Sequence, residues 1–360
     1  MNYRNAVLID GKSLAADNTE YIDLRGLTPI SEIVVSYKYT NNGSTPTEHP
    51  AACISQIQVI DGSNVIYDLT GKQARALAFY HYKKSPTDAV SYIDNNQGTV
   101  IVRIPFGAYL WDPNLAFDPA RFNNPQLIVK TDLNGGGSAP DAGVLEVVAM
   151  CFDELAINPS GYLIAKEHYK YSVVASGQET IPLPVDLVVK MLMLQGDYKD
   201  TALIQQINKI KISEDHGKHI PYDNNASDLI KMLSPDMEQY MEKIRFNGTT
   251  SAVEYFITPF YEATAILGGI MATPNYGSAT QSDGGTMDID MSAAGECDGI
   301  VTGWCPHGCI GIEFGDMYDP SAWYNPGAHG IKSLEVLLTA GASASSSGQN
   351  KVVMQQLKKY

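Results

Sequence analysis

Cysteine and histidine crowd one stretch of the chain, "CDGIVTGWCPHGC", which carries Cys297, Cys305, His307 and Cys309. Thiolate and imidazole are preferred ligands of zinc, so a metal centre is the first chemistry to weigh. The spacing has no Cys-x-x-Cys pair, however, and the segment runs into the apolar "CIGIEF", where buried thiols are the plainer reading. A second stretch, "SDGGTMDID", offers Asp283, Asp288 and Asp290 to a hard cation, without the length or closing Glu of an EF-hand loop. No metal is expected, and these three are only the candidates should a surface ion bind. In "EDHGKH", His216 and His219 sit beside Glu214 and Asp215, the composition of a polar turn. "DGKS" at Asp10–Ser13 fails as a phosphate loop, because the Gly required five residues earlier is Ala6. No GxSxG, HExxH or Rossmann glycine pattern is present. No cofactor and no enzymatic centre are expected.

The elements that must position any such residues are mostly strands. "EIVVSYKYT", "TVIVRIPF", "PQLIVKTDL" and "VLEVVAMCF" are short β-branched or aromatic runs bounded by Gly, Pro, Asn and Asp. The second half answers with "DLVVKMLML", "LIQQINKIKI", "VEYFITPFY", "CIGIEF" and "SLEVLLTA". Strands at this density imply sandwiches or barrels. Helical spacing is confined to "TGKQARALAFYHYKK" (Thr70–Lys84), opened by a Thr cap, to "PDMEQYMEKIRF" (Pro235–Phe246), opened by Pro, and to the tail "GQNKVVMQQLKKY". "TAGASASSSGQN" reads as a flexible tether before that tail. Residues 273–296 read as a long polar loop.

Composition narrows the classes further. At 39.1 kDa the chain exceeds the size at which one core stops growing, so two domains are expected. A net charge of −15 argues against a broad nucleic-acid surface and against docking on an anionic membrane. Charged residues at 18% fall below the usual quarter, which fits a surface largely covered by partners. The five scattered cysteines read as reduced thiols in a cytoplasmic setting. "MNYRNAVLIDGKSL" lacks the pattern of a secretory signal, so the sequons at Asn42, Asn225 and Asn247 are expected to be chance.

The chain repeats itself. "FGAYLWDP" (Phe106, Gly107, Asp112, Pro113) returns as "FGDMYDP" (Phe314, Gly315, Asp319, Pro320), with the two Asp residues 207 positions apart (319 − 112). "EYIDL" at Glu20 matches "ETIPL" at Glu179, "ISQIQVI" matches "IQQINKI", and Tyr67-Asp68 matches Tyr222-Asp223 at an offset of 155 (222 − 67). Four landmarks in one order, with the offset growing once, indicate one all-β domain written twice and about fifty residues inserted in the second copy. In each phrase the Phe is expected in the core, the Gly at a tight departure from a strand, and the Asp-Pro at a turn.

On these landmarks, and on the passages "IQVIDGSNVIYDLTGKQARALAFY" and "RIPFGAYLWDPNLAFDPARFNNPQLIVKTDL", the chain resembles the double jelly-roll major capsid proteins of tailless icosahedral viruses with an internal membrane, the tectivirus- and corticovirus-like lineage. Phages with small single-stranded DNA genomes belong to the same set. The resemblance covers nearly the whole chain through its order of elements. It implies an all-β fold of two tandem jelly-roll sandwiches with short helices between strands: residues 1–165 as the first roll with an N-terminal arm, 166–341 as the second, and 342–360 as tether and C-terminal helix. It also implies a homotrimer forming pseudo-hexagonal capsomers of a virion shell, with no direct nucleic-acid binding. The segments "MNYRNAVL" and "VVMQQLKKY" are expected to reach neighbours, an internal membrane or minor vertex proteins. With no large tower insertion identified, a small outer decoration is expected. Two alternatives stay open: a glycan-active double sandwich of the peptide N-glycanase or glycosidase kind, using acids such as Asp118, Glu154 or Glu313, and a spike or adhesion module.

Overall fold

The computed structural model describes residues 3–15, 17–153, 157–269 and 275–360. The first half supplies β1 (Tyr3–Leu14), β2 (Asn18–Asp23), β3 (Ile30–Thr40), β4 (Ile54–Asp61), β5 (Asn64–Leu69), helix α1 (Gly71–Tyr82), β6 (Ala89–Ser91), β7 (Gln97–Pro105), β8 (Pro125–Thr131) and β9 (Ala142–Phe152). The second supplies β10 (Gly161–Ser172), β11 (Gln178–Leu183), β12 (Val188–Asp197), α2 (Leu203–Gln206), β13 (Lys209–Glu214), β14 (His219–Asn225) and α3 (Ala226–Leu233). There follow β15 (Tyr240–Gly248), β16 (Val253–Phe256), β17 (Pro259–Gly269), β18 (Gly277–Gln281), β19 (Thr286–Met291), β20 (Gly295–Pro306), β21 (Cys309–Glu313), β22 (Leu334–Thr339) and β23 (Gln349–Lys359).

The sheet orders show the same weave twice. In the first half β1-β9-β3-β7 faces β2-β8-β4-β5, and in the second β10-β23-β12-β21 faces β11-β22-β13-β14. Each set is a jelly roll, in which successive strands mostly switch sheets and the two inner faces share a core. The alternation along β3 shows why: Ile33, Val35, Tyr37 and Tyr39 point inward with no exposure, toward Val59, Leu127 and Val129 of the facing sheet. Gly98 lies opposite Tyr39 in the β3–β7 pairing, and the Tyr39 ring fills the space a Cβ would take. The second core repeats the design with Leu192, Leu194, Ile210, Ile212, Val336 and Leu338. The rolls are fused where β10 runs parallel to β5, Ala165 beside Tyr67, which makes one eight-stranded sheet, β2-β8-β4-β5-β10-β23-β12-β21. The expected boundary between residues 165 and 166 therefore falls inside β10.

The repeat landmarks fall on equivalent elements. "EYIDL" and "ETIPL" lie on β2 and β11, and the two Phe-Gly phrases follow β7 and β21. Val59 pairs with Leu127, and Glu214 pairs with Leu334. Those residues differ by 155 (214 − 59) and 207 (334 − 127), so this register is the same in both copies. "IQQINKI" does not align with "ISQIQVI" as its spelling indicates: its first half forms α2, the counterpart of the short helical turn Pro50–Cys53, and the strand begins only at Lys209.

Four expectations are corrected. The segment Pro235–Phe246 is not a helix: α3 ends at Leu233, Ser234–Asp236 forms one turn, and β15 follows with Tyr240, Glu242, Ile244 and Phe246 all inward. Alternation of period two outweighs the Pro signal there. The tail is not a tether and helix either. Residues 340–348 turn from β22 into β23, which lies mid-sheet between β10 and β12 with Val352 to Leu357 all buried. A central strand covered on both faces loses its alternation, and a short apolar run then imitates a helix. Within 273–296, β18 and β19 form a sheet with β16, where Met287, Ile289 and Met291 are buried; Thr273 lies outside the described residues. The small decoration is corrected with it. Between α3 and β21, strands β15 to β20, joined by β6 of the first half, build the sheets β17-β20-β15-β6 and β16-β19-β18 over a separate core that Val90 and Tyr92 also enter, at the place where the offset grows.

Candidate functional site

All five cysteines are free and buried. Cys297 lies on β20 against Phe246, apart from the β20–β21 turn that holds Cys305, His307 and Cys309. Burial pushes the Cys305 and Cys309 thiols up, away from the thiolate a metal needs. Asp288 and Asp290 share the exposed side of β19, and Asp288 accepts from Ser282 Oγ at 2.7 Å; Asp283 sits in the preceding turn. Among the described residues no group of three or more His, Cys, Asp or Glu side chains comes together to hold a metal. His219 and His216 sit at the surface on Glu214 (2.8 Å) and Glu335 (3.2 Å), in a turn that the Asp215 carboxylate ties by accepting from Lys332 N and Ser333 N. Of the glycan candidates, Asp118 caps a turn by accepting from Ala120 N, while Glu313 pairs with Lys83 at 3.1 Å, its carboxyl raised by burial. Glu154 lies outside the described residues.

The two Phe-Gly phrases sit at one end of the molecule with different chemistry. Phe106 is fully buried and stacks on Phe117 at 5.0 Å. The Asp112 carboxylate, 2% exposed, accepts from the backbone N–H of Ala108 (3.1 Å), Asn114 (2.9 Å) and Leu115 (3.3 Å). Phe314 is only half-buried; Gly315 has φ +79° and packs against Ala322; and the exposed Asp319 accepts from Ser321 N and Oγ. The connections meet: Ala108 and Leu115 of the first pack with Trp323 of the second, over Leu163 and Leu357. Tyr3 and Tyr360 lie at this same end, the first stacked on Trp111 at 4.2 Å, the second donating its hydroxyl to Ala116 O.

Between the two halves lies a feature the sequence did not flag. Helix α1 starts with a reciprocal capping box between Thr70 and Gln73 and is buried from Gly71 to His81, since it is enclosed by both halves of the chain. Its polar residues therefore reach across. Arg75 pairs with Asp88, donates to Tyr240 Oη (2.7 Å) and donates from Nε to His307 Nε2 (3.3 Å). Lys72 bridges Asp197 (3.1 Å) and Glu48 (3.3 Å). His81 Nδ1 lies 2.8 Å from Lys190 Nζ on β12. Beside the helix, His49 Nε2 sits 3.1 Å from Glu242 of β15, whose carboxylate also accepts from Thr258 N and Oγ. Burial disfavours the Glu242 carboxylate, but His49, Arg75 and Thr258 outweigh it and hold it below the usual range. This closed polar seam is geometry that specifies how the halves meet; in the sequence its four helix side chains, Lys72, Gln73, Arg75 and His81, read as an ordinary solvated face.

The outer face of β17-β20-β15-β6 exposes apolar side chains. Ile266 (77% exposed), Ile300 and Met241 line up there, and Lys243, Arg245 and Asp298 border a groove of about 550 Å³. Arg245 and Asp298 pair across the strands at 3.0 Å.

No family model and no curated protein matches the sequence. Solved structures do match it, over almost its full length. The chain is similar to the STIV MCP of Sulfolobus Turreted Icosahedral Virus, with a TM-score of 0.58 at 11% identity, covering 99% of this chain and 96% of that one. It is similar to the major capsid protein P2 from bacteriophage PM2 (TM-score 0.56, 10% identity, 99% and 98% covered). The PBCV-1 virus capsid gives 0.54 at 12% identity, with 99% and 94% covered. What is shared at these identities is the fold: this chain is a double jelly roll, as the sequence resemblance implied.

Proposed function

We propose that the chain is the major capsid protein of an icosahedral virus, and that its work is self-assembly into the virion shell. The observation that carries this reading is the end-to-end match of two fused rolls to three capsid structures, 99% of this chain being covered each time. The division is drawn between β9 and β10, so that each roll keeps its eight strands whole. Three copies would place six rolls in a ring, and six equivalent edges tile a hexagonal lattice. Low surface charge suits wide lateral contacts of this kind. The inserted sheets would face outward. The end holding Tyr3, Tyr360 and the two Phe-Gly phrases would face inward, toward an internal membrane and minor or vertex proteins. The acidic carboxylates at 283, 288 and 290 would lie on the outer side.

The test is the mass of the purified chain by light scattering, then electron microscopy of the same fraction. A stable trimer near 117 kDa, three times 39.1 kDa, with a hexagonal outline is expected. A well-behaved monomer that never forms particles would overturn the reading.

A further inference from the structure

Two of the seven histidines, His81 and His307, are fully buried, and each faces a cation across the boundary between the halves of the chain. We propose that this pair makes the seam acid-labile: in mildly acidic solution each site takes up a proton that the closed seam cannot hold, and α1 parts from β12 and from the β20–β21 turn. The inference concerns contacts within one chain, so it stands apart from the assembly reading.

The geometry dictates the protonation states. A guanidinium can only donate, so the Arg75 Nε–H contact makes His307 Nε2 an acceptor and leaves the ring proton on Nδ1, a buried atom with no partner. Protonating Nε2 would set an imidazolium N–H against the Arg75 N–H. His81 is built alike: Nδ1 is engaged by Lys190 Nζ, and Nε2 is buried without a partner. Burial and the attached cations hold both rings well below the ordinary imidazole value; for His307 those are His49, Arg75 and Lys72, for His81 Lys190 and Arg103. Burial also pulls Lys190 down to about 7, so the His81–Lys190 pair can share one proton but not two.

Charges around the seam do not cancel this. Asp88 is already taken by Arg75, and Asp197 and Glu48 by Lys72. Glu313 and Asp112 face Lys190, not the His81 ring. Glu313 and Glu32 are raised by burial, so they take up protons in the closed state and oppose opening, but only as the pH nears the carboxylate range. His49 differs: its Nδ1 accepts from Ala51 N and its Nε2 faces the Glu242 carboxylate, so both ring nitrogens have partners in the closed seam.

The sign follows from linkage. A base whose folded value is depressed binds more protons in the open state, so stability is lost as pH falls through the ordinary imidazole value, roughly 6.5. Two such sites raise the opening constant by up to about 100-fold per pH unit, tenfold each, until the folded values are reached.

The experiment is amide exchange of α1 in the intact chain between pH 7.5 and 5, corrected for intrinsic exchange. The opening constant is expected to climb steeply below about pH 6.5. His81→Asn and His307→Gln each keep an acceptor near the original nitrogen and should each remove one factor of ten from the slope. A flat wild-type profile, or an unchanged slope in the double variant, overturns the proposal. Should the double variant fail to fold, ring titration by NMR on the wild type decides: His81 and His307 resisting protonation until α1 opens supports it, and ordinary titration in the closed protein refutes it.

Discussion

The two rolls share a weave and differ at both ends. Between β5 and β7 the first roll inserts a helix and a three-residue strand; between β14 and β21 the second inserts a helix and six strands. A jelly roll tolerates this because its core lies between the sheets, and a connection at the end adds surface without disturbing the inner faces. At the other end the lengths are similar and the chemistry has diverged. Asp112 is sealed in and holds three backbone N–H groups, while Asp319 lies in solvent and ties only Ser321. Duplicated spelling therefore marks duplicated topology, not duplicated energetics.

The largest expected effect breaks the second roll while sparing most of the first. Removing residues 349–360 deletes β23, which pairs with β10 along one edge and with β12 along the other. The second core loses Val352 and Met354 and its sheet is split. The truncated chain should fail to fold beyond its first half, seen as loss of protease resistance after about residue 160. A truncated chain that folds and merely assembles poorly would return the tail to the role of an arm.

The next effect sharpens the contrast between the two Phe-Gly phrases. Asp112→Ala strands the buried N–H groups of Ala108 and Leu115 and should cost about 3 kcal/mol by denaturant titration. Asp319→Ala, at a fully exposed turn, should leave the midpoint unchanged. Equal losses would mean that the second phrase is held by contacts other than these.

These contrasts also explain what was legible in the sequence. Asp-Pro after Phe-Gly betrays a turn leaving a strand, and Thr70 with Gln73 betrays a helix start, because both signals act within a few residues. β23 hid because burial on both faces erases alternation, and β15 hid behind a Pro that opens only a single turn. The seam was illegible for a different reason. Arg75 and His307 stand 232 residues apart, and no spacing rule connects a helix to a turn that arrives only after five strands of the second roll and its insertion are threaded. Polar residues that find partners in tertiary structure look, in one dimension, like an ordinary solvated face.

The smallest effect compares the helices that follow β5 and β14. Thr70 accepts from Gln73 N while the Gln73 side chain accepts from Thr70 N, which satisfies two orphan donors at the start of α1. At the start of α3, Asn225 occupies the same position without a side-chain bond to the backbone; its amide reaches Asp228 instead. Thr70→Ala should thus cost about 1 kcal/mol, and Asn225→Ala much less, both read from denaturant midpoints. The asymmetry has a structural cause. α1 is enclosed on all sides, so its first N–H groups cannot turn to water and must be met by the chain itself, whereas α3 has an exposed side at which solvent does the same work. Equal costs at the two caps would show that burial of α1 is not what makes its capping box matter.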